Sequence, residues 1–220
     1  MKKRKSPVAV LLMAAGLCMM AAAAWMLYSN ISEERTAAQS SAAVLEQITL
    51  PTPAATPSPQ PEEEQVPVVV TPAPTEAPLY IQNPDLEMPI KEIDGHEYIG
   101  VLQIPKLDLE FPVMSDWSYP KLKLAPCRYE GSIYRGDMVI LGHNYTNHFR
   151  RFNELETGDL VIFTDMDSNV FRYEVTSNEI LRQNEGERLL EEGEWDLTMF
   201  TCVRGQRQKR ITIRCSLLSE

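Results

Sequence analysis

The sequence predicts an all-β barrel or sandwich that begins at about residue 85. Short runs of apolar or alternating residues recur through this part of the chain, separated by proline and glycine turns. Helical propensity is confined there to the short segments 119–124, 146–155 and 186–191. Many short strands joined by one-turn helices are typical of all-β barrels and sandwiches.

The first three strands are predicted from their residue patterns and from the turns that follow. Residues 98–104 are largely apolar and end at Pro105, and residues 107–111 alternate apolar with polar side chains before Pro112. Residues 137–141 form an almost continuous apolar run, which indicates a strand covered on both faces.

The later strands are predicted in the same way. Residues 159–163 follow a turn at Gly158, and residues 170–175 alternate again. Residues 197–201 and 211–215 lie on either side of a polar turn, so they are expected to form a hairpin.

The N-terminus carries a membrane signal. The basic residues 2–5 precede an uncharged apolar run over residues 7–28, which is long enough to cross a bilayer as a helix. The basic tail, residues 1–6, would stay in the cytoplasm, so a single-pass anchor would place the rest of the chain outside. The alternative is a signal peptide cleaved near Ala22-Ala23-Ala24, which also places the domain outside the cytoplasm.

Residues 29–84 are predicted to be an extracellular linker. Residues 29–50 are polar with helical propensity and are expected to extend the membrane helix as a short stalk. Residues 51–78 are rich in Pro, Thr and Glu, so they cannot bury enough apolar surface to order themselves. The segment is expected to be a semi-extended spacer that holds the domain away from the bilayer.

The remaining residues, 85–220, are enough to bury a core unaided. The net charge of −10 argues against nucleic acid as a partner, because nucleic-acid binding needs a basic face. Two of the cysteines, Cys127 and Cys215, would either form a disulfide outside the cell or remain as buried thiols.

Three residue types that serve thiol chemistry stand at predicted strand ends. Cys202 ends the strand 197–201, His143 follows the strand 137–141, and Arg210 begins the returning strand. If the hairpin turn centres near residues 205–207, Cys202 faces Arg210, while Arg214 faces Thr198 farther along.

This set fits nucleophilic acyl transfer. The reactive form of a cysteine is the thiolate, and a neighbouring His and Arg both favour it. A guanidinium can stabilise the oxyanion that forms when the thiolate attacks a carbonyl, and an imidazole can move the protons.

Each residue also has a purely structural interpretation. A lone cysteine or histidine at a strand end is usually a packing or hydrogen-bonded residue. His148 is expected to be structural or exposed, and His96 to lie in an exposed turn. A zinc site using His143, His148 and a cysteine is not supported, because no metal-type cysteine spacing is present.

The combination of residues resembles the sortase family. That family carries a Thr-Leu-x-Thr-Cys signature, and residues 198–202 read Thr-Met-Phe-Thr-Cys, with Met in place of Leu. The resemblance runs from about Ile99 to Cys215 and includes residues 132–144, 149–155 and 158–159. The order of anchor, stalk and outer domain also resembles the family.

The resemblance implies a closed eight-stranded β-barrel and a cysteine transpeptidase of Gram-positive-type cell surfaces. It implies Cys202 as nucleophile, His143 as acid and base, Arg210 as electrophilic stabiliser and Thr201 as an aid to substrate or oxyanion binding. The implied substrates are surface proteins with a C-terminal Leu-Pro-x-Thr-Gly-like sorting signal. The acyl group would pass through a thioester to an amine of a cell-wall precursor or peptidoglycan.

Subclass and alternatives stay open. The lack of an aromatic lid motif and of a second apolar segment places the chain nearer class B or D than pilus class C. No cofactor is expected, the one alternative being a calcium ion between the acidic span 185–194 and Glu130 or Asp137. A cell-surface cysteine hydrolase or protease on the same scaffold, or a non-catalytic surface protein, are the competing functions.

Overall fold

The computed structural model describes residues 7–48, 78–146, 148–191 and 193–218. Its sheet has nine strands in the order β1-β2-β3-β4-β5-β8-β9-β7-β6. They are β1 Lys91–Ile93, β2 His96–Ile104, β3 Leu109–Met114, β4 Cys127–Glu130, β5 Met138–Leu141, β6 Leu160–Asp165, β7 Val170–Arg182, β8 Leu197–Val203 and β9 Gln206–Leu217.

The sheet closes on itself because β2 also pairs with β6, with Leu102 opposite Phe163. Strands β2 to β9 therefore form a closed barrel of eight, and β1 is a short strand that pairs only with β2. At the closure, Gly100 has no room for a side chain, because a Cβ there would meet the ring of Phe163 and the carbonyl of Thr164. The predicted eight-stranded barrel is confirmed.

The helices of the domain are short, as predicted. They are α2 Leu79–Gln82, α3 Tyr119–Leu122, and the 3₁₀ helices Pro105–Leu107, Phe149–Glu154 and Gln183–Leu189. Two of the three predicted helical segments thus form tighter 3₁₀ turns, which suit short connections. The barrel interior is filled by apolar side chains from every long strand, among them Leu102, Phe163, Met199 and Ile213.

The predicted strands are present, but β1 was not predicted and β7 runs to Arg182, beyond the predicted residues 170–175. Strand β4 has mixed polarity and was not predicted; its partner is β5, with Cys127 opposite Leu141. Strand β3 continues through Pro112, contrary to the prediction, because its second neighbour meets it only at Met114. Pro112 therefore lies on an edge, where strand prolines are tolerated.

The start of the predicted linker continues the apolar helix, as expected for a stalk, but it also docks on the barrel. Helix α1 runs from Pro7 to Gln47 without a break, and it is long and apolar enough to cross a membrane. Beyond the apolar run it packs on the barrel through a stripe of buried residues, namely Ala37, Ser41, Val44 and Ile48. The i, i+3, i+4 spacing of this stripe places it on one helix face, which explains why the segment docks instead of standing free.

Polar contacts fix the docked helix. The Ser41 hydroxyl donates to the Leu124 carbonyl at 3.1 Å, and the Lys91 ammonium donates to the Gln47 carbonyl at 2.8 Å. The linker also ends earlier than expected, because the Tyr80 ring of α2 stacks on Tyr134 at 4.8 Å. The proline-rich centre of the predicted linker, residues 49–77, lies outside the described residues.

Cys127 and Cys215 are both free and buried. Cys127 lies in β4 and Cys215 in β9. Burial raises the pKa of the Cys127 thiol to about 12 and also raises that of Cys215. Of the two alternatives left open by the sequence, the structure has the buried thiols.

Candidate active site

The barrel brings His143 and Cys202 together through two parallel strands. Strand β5 pairs in parallel with β8, and Leu141 lies opposite Phe200. His143 follows Leu141 by two positions and Cys202 follows Phe200 by two, so both residues lie at the same edge of the sheet. The backbone N–H of Gly142 donates to the Phe200 carbonyl at 3.1 Å, which holds the two strand ends in register.

The third residue is placed by the hairpin of β8 and β9. Cys202 lies opposite Arg210, and Thr198 lies opposite Arg214, as the sequence predicted. An irregularity follows between Cys202 and Val203, on the turn side of the pair, so it leaves the predicted register intact.

His143, Cys202 and Arg210 line one cleft of about 310 Å³. Its walls are mainly apolar and aromatic. The Tyr129 ring stands edge-on to Phe200 with centroids 5.4 Å apart, and Trp117 stacks on Tyr129 at 5.6 Å. Such a cleft can take an extended apolar peptide segment and present one of its carbonyl groups to the thiol.

The surroundings of His143 favour its neutral form. Burial is the main cause that lowers its pKa below the ordinary 6.5, and the charge of Lys123 adds to the effect. The carboxylate of Glu33 acts in the opposite direction. The imidazole is therefore neutral at pH 7 and can accept a proton.

Helix α1 contributes to the site through the loop that follows His143. The Tyr145 ring stacks on the His143 ring with centroids 4.4 Å apart and planes 17° from parallel. The Tyr145 hydroxyl donates to the Glu33 carboxylate at 3.2 Å, and Glu33 also pairs with Lys123 at 3.0 Å. Helix α1 thereby fixes Tyr145, the residue whose ring stacks on the imidazole.

A second contact joins this loop to the end of β8. The Asn144 side-chain N–H donates to the Cys202 carbonyl at 2.5 Å. Its Oδ1 is buried and accepts no hydrogen bond from the residues that the structure describes.

Several of these residues were missed from the sequence. The sequence patterns do not assign Asn144, Tyr145, Trp117 or Tyr129 to the site, and they place Glu33 in a short stalk that extends the membrane helix. An aromatic residue two positions after a site histidine is a usable signal for ring stacking. The docking of the stalk on the barrel has only a weak local signal, the spacing of Ala37, Ser41, Val44 and Ile48 on one helix face.

The Thr201 side chain does not line the cleft. It is fully buried, and its cross-strand partner Ile211 belongs to the barrel core. Paired residues of an antiparallel ladder point to the same face, so the Thr201 side chain faces the barrel interior. Its hydroxyl has no hydrogen-bond partner in the described part of the chain.

Arg214 and His148 do not line the cleft and are held by contacts inside the protein. Arg214 is buried, donates to the Thr198 hydroxyl at 2.7 Å and to the Leu189 carbonyl at 3.2 Å, and lies over the Trp195 ring. His148 is buried edge-on to Phe111, and burial lowers its pKa to about 4.

Two minor expectations concern His96 and calcium. His96 begins β2 opposite Ile93 and is half-buried, so it differs from the exposed turn residue that was predicted. Within the described ranges, no group of three or more His, Cys, Asp or Glu could hold a metal ion. The Asp137 carboxylate, one of the weighed calcium ligands, instead accepts from the Ser132 N–H at 2.7 Å and from Arg135 at 3.0 Å.

The fold and the site define a β-barrel protein with a cysteine, a histidine and an arginine in one cleft. Comparison with known families gives the same result, because the model of the Sortase domain matches residues 102–218. The chain belongs to the sortase family.

Curated relatives support this assignment. The chain is 27% identical over 129 residues to "Sortase A" of Bacillus anthracis, covering 56% of this chain and 61% of that protein. It is 30% identical over 107 residues to "Sortase D" of Bacillus subtilis (strain 168), covering 47% of this chain and 53% of that protein. The matched segments thus span less than two thirds of either relative.

Solved structures show the same fold. Sortase C1 from Streptococcus agalactiae superposes with a TM-score of 0.52 at 21% identity, covering 59% of this chain and 72% of that structure. Sortase A from Corynebacterium diphtheriae gives a TM-score of 0.51 at 19% identity, covering 57% of this chain and 62% of that one.

Proposed function

We propose that this chain is a membrane-anchored cysteine transpeptidase that acts on the outer side of the cell membrane. The observation that carries the proposal is the convergence of His143, Cys202 and Arg210 on one cleft although they come from three strands. In this proposal, Cys202 is the nucleophile, His143 the acid and base, and Arg210 the stabiliser of the oxyanion.

The first half-reaction forms a thioester. The Cys202 sulfur attacks the carbonyl of a peptide bond, and the oxyanion that develops lies beside the Arg210 guanidinium on the neighbouring strand. The neutral imidazole of His143 takes the proton of the Cys202 thiol as the sulfur attacks, and the resulting imidazolium then donates that proton to the amine that leaves as the C–N bond breaks. The acyl part stays bound to sulfur.

The second half-reaction releases the acyl group. The nitrogen of an acceptor amine attacks the thioester carbonyl and gives up its proton to His143, and the C–S bond breaks. Cys202 is restored and a new amide bond is formed.

The donor is a surface protein with a C-terminal sorting signal of the Leu-Pro-x-Thr-Gly type. The aromatic and apolar walls around Trp117, Tyr129 and Leu181 suit the Leu-Pro part of such a signal. The acceptor is an amine of a cell-wall precursor or of peptidoglycan. The apolar run of α1 is the single membrane span, with the basic N-terminus in the cytoplasm.

Product analysis tests the proposal. The full-length chain in lipid vesicles is incubated with a Leu-Pro-x-Thr-Gly peptide and triglycine. We expect a thioester adduct on Cys202 by mass spectrometry and an amide-linked product, and neither with Cys202→Ala. An adduct that yields only hydrolysed peptide, even at high triglycine, would favour the cysteine hydrolase instead. With no adduct, the proposed chemistry is refuted.

A further inference from the structure

Cys202 is reached from two separate clefts. The first, of about 310 Å³, contains His143 and Arg210. The second, of about 560 Å³, lies between helix α1 and the end of β8. Among the described residues, Cys202 is the one that lines both. An enzyme that joins two substrates at one cysteine can use two clefts that meet at this residue.

One wall of the second cleft is the membrane helix. Its residues Leu27, Asn30, Ile31 and Glu34 line the cleft, and their spacing places them on a single helix face. The same face continues into the stripe that packs on the barrel. Because Leu27 belongs to the apolar run, this cleft opens at the height where the helix leaves the bilayer.

The two walls of this cleft both carry acceptors suited to an amine. Asn144 lines the cleft, and its buried Oδ1 accepts no hydrogen bond from the described residues. The Glu34 carboxylate also lines it and is held in place by Arg150 at 2.7 Å and by the Thr146 hydroxyl at 2.9 Å. A carboxylate oxygen accepts more than one hydrogen bond, so Glu34 retains capacity for an ammonium group.

We propose that the second cleft binds the acyl acceptor, a primary amine carried by a molecule anchored in the bilayer. This inference rests on the proposed transpeptidase function. The amine reaches the thioester from the α1 side while the donor segment occupies the first cleft. Its nitrogen bonds to the carbonyl carbon, the C–S bond breaks, and its proton passes to His143, whose neighbours Asn144 and Tyr145 line the second cleft.

The helix also gives the acceptor an entropic advantage. A molecule held in the same bilayer is confined near the mouth of the cleft, and such confinement raises the effective concentration by about 10²-fold or more over the free amine. In this view the anchor helix both tethers the enzyme and forms part of its second binding site.

The test uses the full-length chain in phosphatidylcholine vesicles with a Leu-Pro-x-Thr-Gly peptide as donor. The acceptor probe is triglycine amide-linked through its carboxyl group to phosphatidylethanolamine. The quantity measured is the ratio of amide product to hydrolysed peptide. Ile31→Trp fills the second cleft, whereas Gln39→Trp places the same ring on an exposed face of the same helix, away from the cleft.

We expect Ile31→Trp to lower this ratio by about 10²-fold, as for a misplaced reactant, and Gln39→Trp to keep the wild-type ratio. A wild-type ratio in an Ile31→Trp enzyme that forms the thioester adduct would overturn the inference. If Ile31→Trp forms no adduct, Asn30→Trp on the same face decides by the same criterion. Absence of the adduct in the wild-type chain is a different outcome, which refutes the proposed function itself.

Discussion

Replacement of Arg210 by alanine tests the geometry of the hairpin. Arg210 lies directly opposite Cys202 in the ladder, which corresponds to a backbone separation of about 5 Å. At an effective dielectric constant of about 20, a cation at that distance stabilises a unit negative charge by about 3 kcal/mol. Because about 1.4 kcal/mol corresponds to a tenfold change in rate, Arg210→Ala should lower kcat/KM by about 10²-fold.

Arg214 is the matched control. It lies four residues farther along the same strand, about 13 Å from Cys202, where the same calculation gives about 1 kcal/mol. Its guanidinium also faces the Glu179 carboxylate at 3.5 Å, which offsets part of that charge. Arg214→Ala should therefore affect stability more than turnover, since it removes hydrogen bonds to Thr198 and Leu189.

The assay is cleavage of a fluorogenic Leu-Pro-x-Thr-Gly peptide, measured at a temperature where circular dichroism shows both variants folded. Arg210→Lys keeps the charge but loses the planar donor fork, so we expect an intermediate rate. If Arg214→Ala lost about 10²-fold while Arg210→Ala stayed within about threefold, Arg210 would not be the stabiliser and the Coulomb argument would fail.

Three further predictions follow from the contacts of α1 and the buried histidine. His143 should titrate below pH 6.5 in NMR, and Glu33→Gln should lower its pKa further, because it removes the one opposing charge; an unchanged pKa would show that Glu33 does not act on the imidazole. The folded-state pKa of His148, about 4 against 6.5 in the unfolded chain, makes the unfolded state take up the proton first as the pH falls. Wild type should therefore lose up to about 3 kcal/mol more unfolding free energy than His148→Phe between pH 7 and 4; equal losses in chemical denaturation would contradict this. Val44→Asp buries a carboxylate under the docked helix and should cost several kcal/mol in the same assay, whereas Ala43→Asp on the exposed face should cost little; equal effects would mean that the helix does not dock.

Local patterns were sufficient for much of the fold and for the central residues of the site. The facing pair Cys202 and Arg210 could be derived because a hairpin register depends on a few adjacent residues around one turn. The pairing of β5 with β8 joins segments about sixty residues apart in sequence, and only the family resemblance brought His143 to the same cleft. Local signals thus predicted the helices, strands and turns. The order in which the strands pair depends on residues far apart in the sequence and could not be predicted from them.

The docked half of α1 shows what such signals leave out. Glu33 and Glu34 were read as residues of a free polar stalk, since nothing nearby in the sequence indicates a partner. Their partners Tyr145 and Arg150 lie more than one hundred positions away. The spacing of Ala37, Ser41, Val44 and Ile48 does contain the signal of an amphipathic face, but a small residue and a serine make that face weakly apolar.

The end of α1 and helix α2, which flank the proline-rich stretch, limit what that stretch can do. Ile48 is buried against the barrel, and the Tyr80 ring stacks on Tyr134, so the segments on both sides of residues 49–77 contact the barrel. If α1 spans the membrane as proposed, its docking on the barrel, and not the length of residues 49–77, sets the height of the cleft above the lipid. Doubling such a connection costs only about 0.6 kcal/mol in closure entropy, so insertions or epitope tags there should leave both the folded domain and its distance from the membrane as they are.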